Sequence, residues 1–600
     1  MIRKYFFIIC SLLIATQFVY AQQESHYKIH SHNDYLQTVP FWSAYANELE
    51  SIEVDIYYKN KTLYATHSES EIIKKQTLQA LYLQPIQKII ELELGSQQEI
   101  QLLIDIKSEP YETLDKLISI LEKYPDVIHN EKISIVISGN RPHEKDYVNY
   151  ADYITFDHQT LEILENEKAW KKVALVSLNF NDFSEWNGKG RLTAGDYKKV
   201  KTVIDSVHSL GKPFRFWGAP DSKTAWKVFK ELNMDFINTD NTYASATYLK
   251  DLDNRMYTNE IFSKVYTPTF TSDKKNLPVE NVILLIGDGN GLSQISSSLL
   301  ANGGDLTLAQ MKSIGFITTQ SADDFTTDSA AAGTALATGE RTYNRAIGVD
   351  TLQQPLVNYS ELLSEYNYVS GCITSDRMTG ATPGSFYAHQ KDRSDVKEIA
   401  GDLSKSKLSL FVGGGSEDFQ GEQKVVGFNM LDEVEAIGSS KSDKVGFFIS
   451  EKEVPSVLNG RGSVLAEATK NGIQFLSSKN KPFFLMVEAA QIDNYGHTNN
   501  VPGIVSEGID FDRAITEAVK YADKMGNTLV IVTADHETSG FSIPQGNLEK
   551  RIIEGDFTTH DHTATMVPIF AYGPNSQEFQ GVYKNSDLFG KILKVLDLKE

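Results

Sequence analysis

The sequence predicts an α/β protein of two domains, a (β/α)8 TIM-type barrel followed by a doubly wound α/β sandwich. Three observations support this fold class. The 600 residues are too many for a single hydrophobic core. Short apolar runs alternate with helical stretches over residues 22–250. After residue 279, three apolar runs each close on an acidic residue, as buried parallel strands do at the carboxyl edge of a sheet.

The first domain shows the strand–helix alternation of a barrel. Its predicted strands are residues 27–29, 52–56, 63–65, 102–106, 133–137, 153–156, 174–178, 214–216 and 236–237. Its predicted helices are residues 110–124, 194–210 and 222–232. Units of this length predict a (β/α)8 barrel, which carries its chemistry at the carboxyl ends of its strands.

The predicted strand ends of the barrel carry polar side chains that suit metal chemistry. These residues are His30, His32, Glu53, Asp55, His67, Asp105, Lys107, Trp217 and Asp240. Glu53 and Asp55 are two apart and therefore point to the same face of one strand. With Asp105 they make a three-carboxylate site that suits Ca²⁺ or Mg²⁺. His30 and His67 could flank that site as base and acid.

A linker is predicted at residues 251–278, because the segment mixes charge, Thr, Pro and Lys without sustained periodicity. The domains are therefore predicted at residues 22–250 and 279–600.

The second domain carries a serine at the start of a helix of small residues. Residues 327–339 read TDSAAAGTALATG, which places Ser329 at the helix N-terminus after Asp328 as its N-cap. Free N–H groups and a partial positive charge at a helix N-terminus suit a phosphate. Taken alone, such a segment more often reflects tight packing than catalysis.

Metal-ligand residue types surround this serine in the sequence. Three apolar runs close on Asp288, on Glu488 and on the pair Asp535 and His536. Asp493 and His497 are four apart and can face one centre on a helix, and His562 precedes a last apolar strand. Carboxylate and imidazole ligands suit Zn²⁺, and two metals can clamp the attacking and leaving oxygens of a phosphoryl transfer. The set predicts a two-metal site around Ser329.

From about residue 279 onward these motifs resemble an alkaline phosphatase. The resemblance implies that Ser329 is the nucleophile that becomes a phosphoserine, that Arg393 grips the phosphate, and that two Zn²⁺ and one Mg²⁺ are bound. It implies one zinc at Asp288, Asp535 and His536, the other at Asp493, His497 and His562, and the magnesium at Asp288, Glu488 and Thr382.

Two positions depart from the family's pattern. Gly380 stands where the family usually has Asp or His near the magnesium. Asn494 stands where the family often has a basic or aromatic residue near the phosphate. Because the metal ligands are intact, these changes bear on affinity, metal preference and pH optimum rather than on reaction class.

The barrel resembles the phosphatidylinositol phospholipase C and glycerophosphodiester phosphodiesterase superfamily. The residues that carry the resemblance are His30, Glu53, Asp55, His67, Asp105, Lys107 and Asp240. Where the glycerophosphodiesterases have His-Arg-Gly, this chain has His-Ser-His, which leaves open whether His30 or His32 acts; we favour His30. By this resemblance Lys107 is a substrate-binding residue. The alternative is a barrel that binds a ligand without chemistry.

Composition restricts the setting of this function. The net charge of −21 argues against nucleic acid as a partner. Residues 1–21 have the charged start, short apolar run and small-residue end of a signal peptide, which predicts export into a periplasm-like space. Cys10 would leave with that segment, so Cys372 is expected as a lone buried thiol. No other apolar run is long enough to span a membrane.

The sequence thus predicts an exported phosphate monoester hydrolase, joined to a barrel that would produce its monoester substrate from a diester. A phosphodiesterase or sulfatase of the same superfamily is the rival enzyme. Ser329 lacks the Cys/Ser-x-Pro-x-Arg context of sulfatases. Small phosphate esters are the expected partners, and a homodimer stays open beside a monomer.

Overall fold

The computed structural model describes residues 27–95 and 98–598. The chain divides after Asp251 into two compact units, the first ending there and the second beginning at Leu252. Each unit is one uninterrupted stretch of sequence. The predicted signal peptide, residues 1–21, lies outside the described residues. Within the described residues, no helix is both long and apolar enough to cross a membrane.

The first unit is a closed barrel of eight parallel strands, which confirms the predicted fold. The strands of this unit are β1 Lys28–Ser31, β2 Ser51–Lys59, β3 Thr62–Ala65, β4 Ile100–Ile106, β5 Ile133–Gly139, β6 Ile154–His158, β7 Val173–Asn179, β8 Phe214–Trp217 and β9 Phe236–Thr239. The ring runs from β1 through β2, β4 and the later strands to β9, which pairs with β1 again. The predicted strand at 63–65 lies outside the ring, because β3 forms an antiparallel hairpin with β2.

Apolar side chains from several strands pack inside the barrel. Leu103, Val136, Leu175 and Phe236 pack together as one buried cluster. The helices of this unit are α1 Trp42–Ala46, α2 Gln84–Glu91, α3 Pro110–Leu121, α4 Pro125–Ile128, α5 Glu167–Lys171, α6 Ala194–Ser209, α7 Lys223–Glu231 and α8 Thr242–Lys250. With its interior filled by side chains, the barrel leaves its strand ends as the place for a site.

The second unit is built on a mixed ten-stranded sheet of order β15-β16-β14-β13-β17-β11-β18-β23-β12-β24. Its strands are β11 Asn281–Gly287, β12 Ser313–Thr318, β13 Val369–Arg377, β14 Leu408–Gly414, β15 Asn429–Leu431, β16 Val445–Phe448, β17 Phe483–Ala489, β18 Thr528–Ala534, β23 Val567–Tyr572 and β24 Gly581–Lys584. The central strands are parallel, whereas β23 runs antiparallel to both of its neighbours.

Helices cover both faces of this sheet, as expected of a doubly wound fold. They are α10 Leu292–Ala301, α11 Ser329–Thr338, α12 Tyr359–Glu365, α13 Ala381–Ser385, α14 Val396–Leu403, α15 Val464–Ser477, α16 Gln491–His497, α17 Val501–Met525 and α18 Asp587–Val595. Along β11, Ile283 and Leu285 belong to the core on one face, whereas Val282, Leu284 and Ile286 belong to the core on the other. Burial on both faces explains why this strand is a continuous apolar run.

Residues 252–278, where the sequence predicts a linker, contain regular structure of the second unit. Helix α9 covers Leu252–Arg255, and strand β10 covers Met256–Thr258. Strand β10 pairs with β21, Ile552–Asp556, which in turn pairs with β20, Ser542–Asn547. The Ser263 hydroxyl donates to Asp512 Oδ2 at 2.6 Å. Because these contacts depend on residues far along the chain, the local composition could not reveal them.

Candidate active site

Three neighbouring strands deliver acids to one edge of the second unit's sheet. Asp288 directly follows β11 and Asp535 directly follows β18, and these two strands are parallel. Glu488 lies near the end of β17 and is in register with Ile286 of β11. Since the carboxyl ends of parallel strands meet at the same edge, the sequence prediction of converging acids holds geometrically.

Ser329 begins helix α11 above these acids. The Asp328 side chain caps the helix by accepting from the backbone N–H of Ala331 at 2.9 Å. Every residue of α11 is buried. Ser329 Oγ lies 3.3 Å from Nε2 of His536. The serine hydroxyl is therefore placed at a helix N-terminus and next to a metal-ligand residue type.

One group of candidate ligands contains two imidazoles that were predicted to share a metal. His497 ends the short helix α16, so Asp493 and His497 lie on one helical face with 3.2 Å between His497 Nε2 and Asp493 Oδ2. His562 Nε2 lies 3.5 Å from Asp493 Oδ1 and 3.1 Å from His497 Nε2. His560 faces the backbone carbonyl of His497 instead.

A second group is formed by Asp288, Asp535 and His536. His536 Nε2 lies 3.4 Å from Asp288 Oδ1 and 3.4 Å from Asp535 Oδ2. Asp288 Oδ1 and Asp535 Oδ2 are buried without a hydrogen-bond partner among the described residues. Buried polar atoms are ordinarily paired, so these oxygens fit a cation between them. The mixed carboxylate and imidazole donors suit Zn²⁺.

Burial and neighbouring charges shift the pKa values of these residues strongly. Burial and the neighbouring Asp535 raise the pKa of Asp288 well above its ordinary value. Burial and Asp493 raise the pKa of Asp535 to about 6. Burial lowers the pKa of His536 to about 3, with a further contribution from His562. The hydrogen bond to Asp493 raises the pKa of His497 to about 9.

Glu488 and Thr382 form a third, oxygen-rich corner of the site. Burial and the nearby Asp376 raise the pKa of Glu488 to about 8. The hydroxyl of Thr374 donates to Glu488 Oε2. Thr382 lies in α13 and is only 1% exposed, and its Oγ1 has no hydrogen-bond partner among the described residues. Hard oxygen donors of this kind suit Mg²⁺.

An open cavity of about 440 Å³ leads to Ser329 and is lined by Arg393, Asn494, His497 and His562 among others. Arg393 Nη1 lies 3.1 Å from Asp328 Oδ2, so the capping carboxylate also orients the guanidinium. The cavity thus brings together a hydroxyl, a planar cation and the two ligand groups.

Two further acids lie at this site that the sequence analysis did not name. Asp561 joins His497 and His562 in a group whose ligand atoms lie within 4.8 Å of one another. Asp376 lies near the end of β13, beside Glu488. Asp376 follows the same rule as the other strand-end acids, but its strand reads VSGCITSDR and lacks the long apolar run that drew attention to the others.

The barrel also gathers acids at its strand ends. Ligand oxygens of Glu53, Asp55 and Asp105 lie within 4.8 Å of one another. Lys107 Nζ lies 3.1 Å from Asp105 Oδ1 and 3.5 Å from Asp55 Oδ2. Asp55 Oδ1 is buried without a hydrogen-bond partner among the described residues. Burial raises the pKa of Asp105 to about 6, against the effect of Lys107.

The histidines of the barrel differ in their relation to these acids. His30 is fully buried, with Nε2 2.7 Å from Glu53 Oε2, and burial and Arg215 lower its pKa to about 4. His67 is exposed, with Nδ1 2.8 Å from Asp55 Oδ2. His32 instead pairs with Asp240 at 2.9 Å. His30 and His67 therefore flank the acids, whereas His32 does not.

Arg215 is a part of the barrel site that the sequence analysis missed. It is buried in β8, with Nη1 2.7 Å from Glu53 Oε2 and 2.6 Å from His30 Nε2. The sequence did contain one indication of its role, because Arg215 is a charged residue inside the otherwise apolar strand FRFW.

Comparisons with known proteins match each unit separately. A family model for alkaline phosphatase matches residues 279–427 and 435–555. A model for an AIM6-like phosphodiesterase domain matches residues 21–95, which include His30, Glu53, Asp55 and His67. The second match covers the first strands of the barrel only.

Several alkaline phosphatases resemble the second unit. Alkaline phosphatase 4 of Bacillus subtilis (strain 168) is 29% identical over 409 residues, which cover 53% of this chain and 89% of the relative. The solved alkaline phosphatase of the Antarctic bacterium TAB5 is 42% identical with a TM-score of 0.51, covering 54% of this chain and 100% of that chain. A variant of the TAB5 enzyme, 40% identical with a TM-score of 0.51, was solved with Mg bound in its M3 site; the match covers 56% of this chain and 100% of that chain.

Proposed function

Because the chain belongs to the alkaline phosphatase family through its second unit and is a phosphate monoester hydrolase, we propose that Ser329 is the nucleophile of this hydrolysis. The main evidence for this assignment is the position of Ser329 Oγ at the start of α11. It lies 3.3 Å from His536 Nε2 and beside two groups of candidate ligands. No other serine at this cavity combines a helix N-terminus with those neighbours among the described residues.

The ligand groups fit three metal ions. We assign one Zn²⁺ to Asp493, His497 and His562, whose ligand atoms lie within 3.5 Å in each pair. We assign the other to Asp288, Asp535 and His536. We assign Mg²⁺ to Asp288, Glu488 and Thr382, supported by the partnerless Thr382 Oγ1 and by the Mg-bound TAB5 structure. When bound, these ions supply Lewis acidity, which lowers the pKa of the serine hydroxyl and neutralises charge on the phosphoryl oxygens.

The residues of the chain then divide the reaction into two displacements. Ser329 Oγ attacks phosphorus, the ester P–O bond breaks, and the alcohol leaves with a proton. A water molecule next attacks the phosphoserine, the Oγ–P bond breaks, and inorganic phosphate leaves as the hydroxyl is restored. Arg393 is proposed to hold two phosphate oxygens with its planar fork throughout, oriented by Asp328.

Replacement of the nucleophile tests this proposal. Ser329→Ala should lower kcat for a phosphate monoester by roughly 10³-fold or more, with zinc content unchanged, because covalent catalysis loses its first step. Ser296→Ala, which changes a serine on α10 away from the cavity, is the matched control. Acid quenching of the parent with labelled substrate should trap phosphate on Ser329. Near-normal turnover of Ser329→Ala would exclude the assignment.

For the barrel, a phosphodiesterase is the second candidate function. The three-carboxylate group and the match to a phosphodiesterase domain favour it. Glu53, Asp55 and Asp105 would hold one Ca²⁺ or Mg²⁺, His30 and His67 would act as base and acid, and Lys107 would bind the phosphate. Water would break one ester bond of a diester and give an alcohol and the monoester that the second unit hydrolyses.

A variant of the barrel acids tests this second function. Asp55→Asn should abolish release of phosphate from a glycerophosphodiester and leave monoester hydrolysis intact. Asp205→Asn, which changes an exposed acid on α6 that pairs with Lys201, is the control. If no diester in a broad panel is cleaved with Ca²⁺ or Mg²⁺ supplied, the barrel is a binding module.

We also propose export of the chain, on the basis of the signal-like residues 1–21. The N-terminus of the protein recovered from the periplasm should begin near residue 22. Full-length chain recovered from the cytoplasm alone would contradict export.

A further inference from the structure

The proposed magnesium corner lacks a side chain at position 380. Gly380 is the N-cap of α13 and precedes Thr382 by two residues. If nothing else replaced that side chain, only Glu488 and Asp288 would bring carboxylates to the ion, and water would have to fill the remaining space.

The carboxylate of Asp376 occupies the space that a side chain at Gly380 would take. A Cβ added at Gly380 would lie 3.0 Å from Asp376 Cγ and would overlap Asp376 Oδ2. Asp376 is in β13, whose Thr374 is in register with Glu488 of the neighbouring strand β17. The acid therefore reaches the position from the adjacent strand end rather than from the helix.

Two further observations connect Asp376 with the ion rather than with the scaffold. Thr382 Oγ1 is nearly fully buried and lies close enough to Glu488 to lower the pKa of that acid, yet it makes no well-aligned hydrogen bond among the described residues, so both side chains face the same corner. Asp376 also lies close enough to Glu488 for its charge to raise the pKa of that acid, and the charge of Arg393 lowers the pKa of Asp376. Two carboxylates placed beside a partnerless hydroxyl are a donor set for a small hard cation, which keeps several of its waters.

We propose that Asp376 is the positioning residue of the magnesium site and replaces, from β13, the side chain that Gly380 lacks. Its carboxylate accepts hydrogen bonds from waters of the Mg²⁺ that Glu488 and Thr382 hold. This inference rests on the proposed three-metal function. Partners of this kind typically change metal affinity or activity about 10–100-fold.

A direct test is the affinity of the zinc-loaded full chain for Mg²⁺, measured by isothermal titration with MgCl₂. Asp376→Asn should raise the Kd for Mg²⁺ about 10-fold or more while zinc content and the thermal unfolding midpoint stay near those of the parent. Glu578→Gln, which removes an acid paired with Lys594 and therefore changes charge away from Asp376, is the matched control and should change the Kd by less than about 2-fold.

A swap of the acid between the two positions makes the inference specific. Gly380→Asp alone should weaken Mg²⁺ binding, because the new side chain would collide with Asp376 Oδ2 and add a like charge. In an Asp376→Gly background, the same Gly380→Asp change should restore the affinity toward that of the parent. A purely structural role of Asp376 would not be rescued by an acid four residues away.

The outcomes separate this inference from the function on which it rests. If the parent binds Mg²⁺ and Asp376→Asn binds it equally well, Asp376 has no part in the site and the three-metal function stands. If the swap variant does not recover affinity although it is folded and zinc-loaded, the positional exchange is wrong. If the zinc-loaded parent binds no Mg²⁺, the three-metal function itself is wrong, and this inference with it.

Discussion

Several buried acids at the proposed metal sites of the second unit lie next to other acids. Glu488, Asp535 and Asp288 each have a raised pKa because burial and a neighbouring carboxylate disfavour their charged forms. The pKa of His497 is raised by its hydrogen bond to Asp493. Without metal, Glu488, with a pKa of about 8, and His497, with a pKa of about 9, hold protons at pH 7, and a metal ion has to displace them.

Metal uptake by the stripped protein should therefore depend steeply on pH. The affinity for Zn²⁺ should rise between about pH 6 and 9, as the proposed zinc ligands Asp535 and His497 lose their protons. Titration at pH 7 in buffers of different ionisation enthalpy should show proton release on zinc binding. Zinc binding at pH 7 without proton release would contradict the raised pKa values.

The same shifts predict the stability of the metal-free protein. The pKa of Glu488 is raised from its ordinary 4.5 to about 8, so the unfolded state loses its proton first as pH rises. The free energy of unfolding should therefore fall between about pH 4.5 and 8, which urea titration of the stripped protein would measure. Added Mg²⁺ should reduce this loss, because in the proposed site that ion takes the place of the proton on Glu488.

Arg215 stabilises the barrel by pairing with a buried acid. Arg215→Met should lower the free energy of unfolding of the barrel by about 3–5 kcal/mol, because the buried Glu53 would keep its hydrogen bond with His30 but lose the positive charge that pairs with it. In the double variant Arg215→Met with Glu53→Gln, much of that loss should be recovered. Denaturant unfolding followed by circular dichroism measures the free energy of unfolding of the single and the double variant. Equal losses in the single and double variants would show that packing, not charge, dominates.

At the scale of elements, the close approach of α11 and α13 fixes the distance between Ser329 and Thr382. Gly333 of α11 faces α13, and a Cβ added there would lie 3.0 Å from Ser385 Oγ and 3.3 Å from Thr382 Cα. The small residues of α11 thus allow tight packing against α13 and, at the same time, place Ser329 at the candidate site. The packing brings the magnesium corner next to the nucleophile.

A larger side chain in this contact should affect metal binding as well as stability. Gly333→Val should cost about 1–3 kcal/mol of unfolding free energy by overpacking and should weaken Mg²⁺ binding by moving Thr382. Gly401→Val is the matched control, because a Cβ added at Gly401 of α14 meets no atom within 4 Å. Unchanged Mg²⁺ affinity in Gly333→Val would separate packing from the site.

The sequence predicted the elements whose signals are local. The N-cap Asp328, the start of α11 at Ser329 and the helical pair Asp493 and His497 follow from short-range chemistry, and the structure has them. Asp376 and Arg215 were missed because their partners come from other strands. Residues 252–278 looked like a linker because β10 finds its partner β21 far along the chain.

At the scale of the whole molecule, two proposed hydrolytic sites share one chain. A diester would need both, the barrel first and the second unit next. Asp55→Asn should release no phosphate from a diester, and Ser329→Ala should let the monoester accumulate. A mixture of the two variants should restore phosphate release, because each supplies the step that the other lacks.

The way in which the lag in phosphate release depends on protein concentration distinguishes transfer of the monoester within one chain from its diffusion between chains. Phosphate release by the mixture should show a lag that lengthens on dilution, whereas the parent should show a shorter one, since sites on one chain share a high local concentration of the intermediate. Chromatography of the monoester and of phosphate at successive times measures the lag of the mixture and that of the parent. Phosphate release from the diester by Asp55→Asn alone would show that the second unit performs both steps.

The contiguity of each unit in the sequence bears on the order in which the chain folds. The barrel pairs most of its strands with those that come next along the chain, and its ring closes when β9 meets β1. In the second unit, β11 lies between β17 and β18, which the ribosome makes long after it. Domains generally fold as units during synthesis, and distant pairings form late. A nascent chain can thus carry a finished barrel while β11 still awaits both of its neighbours.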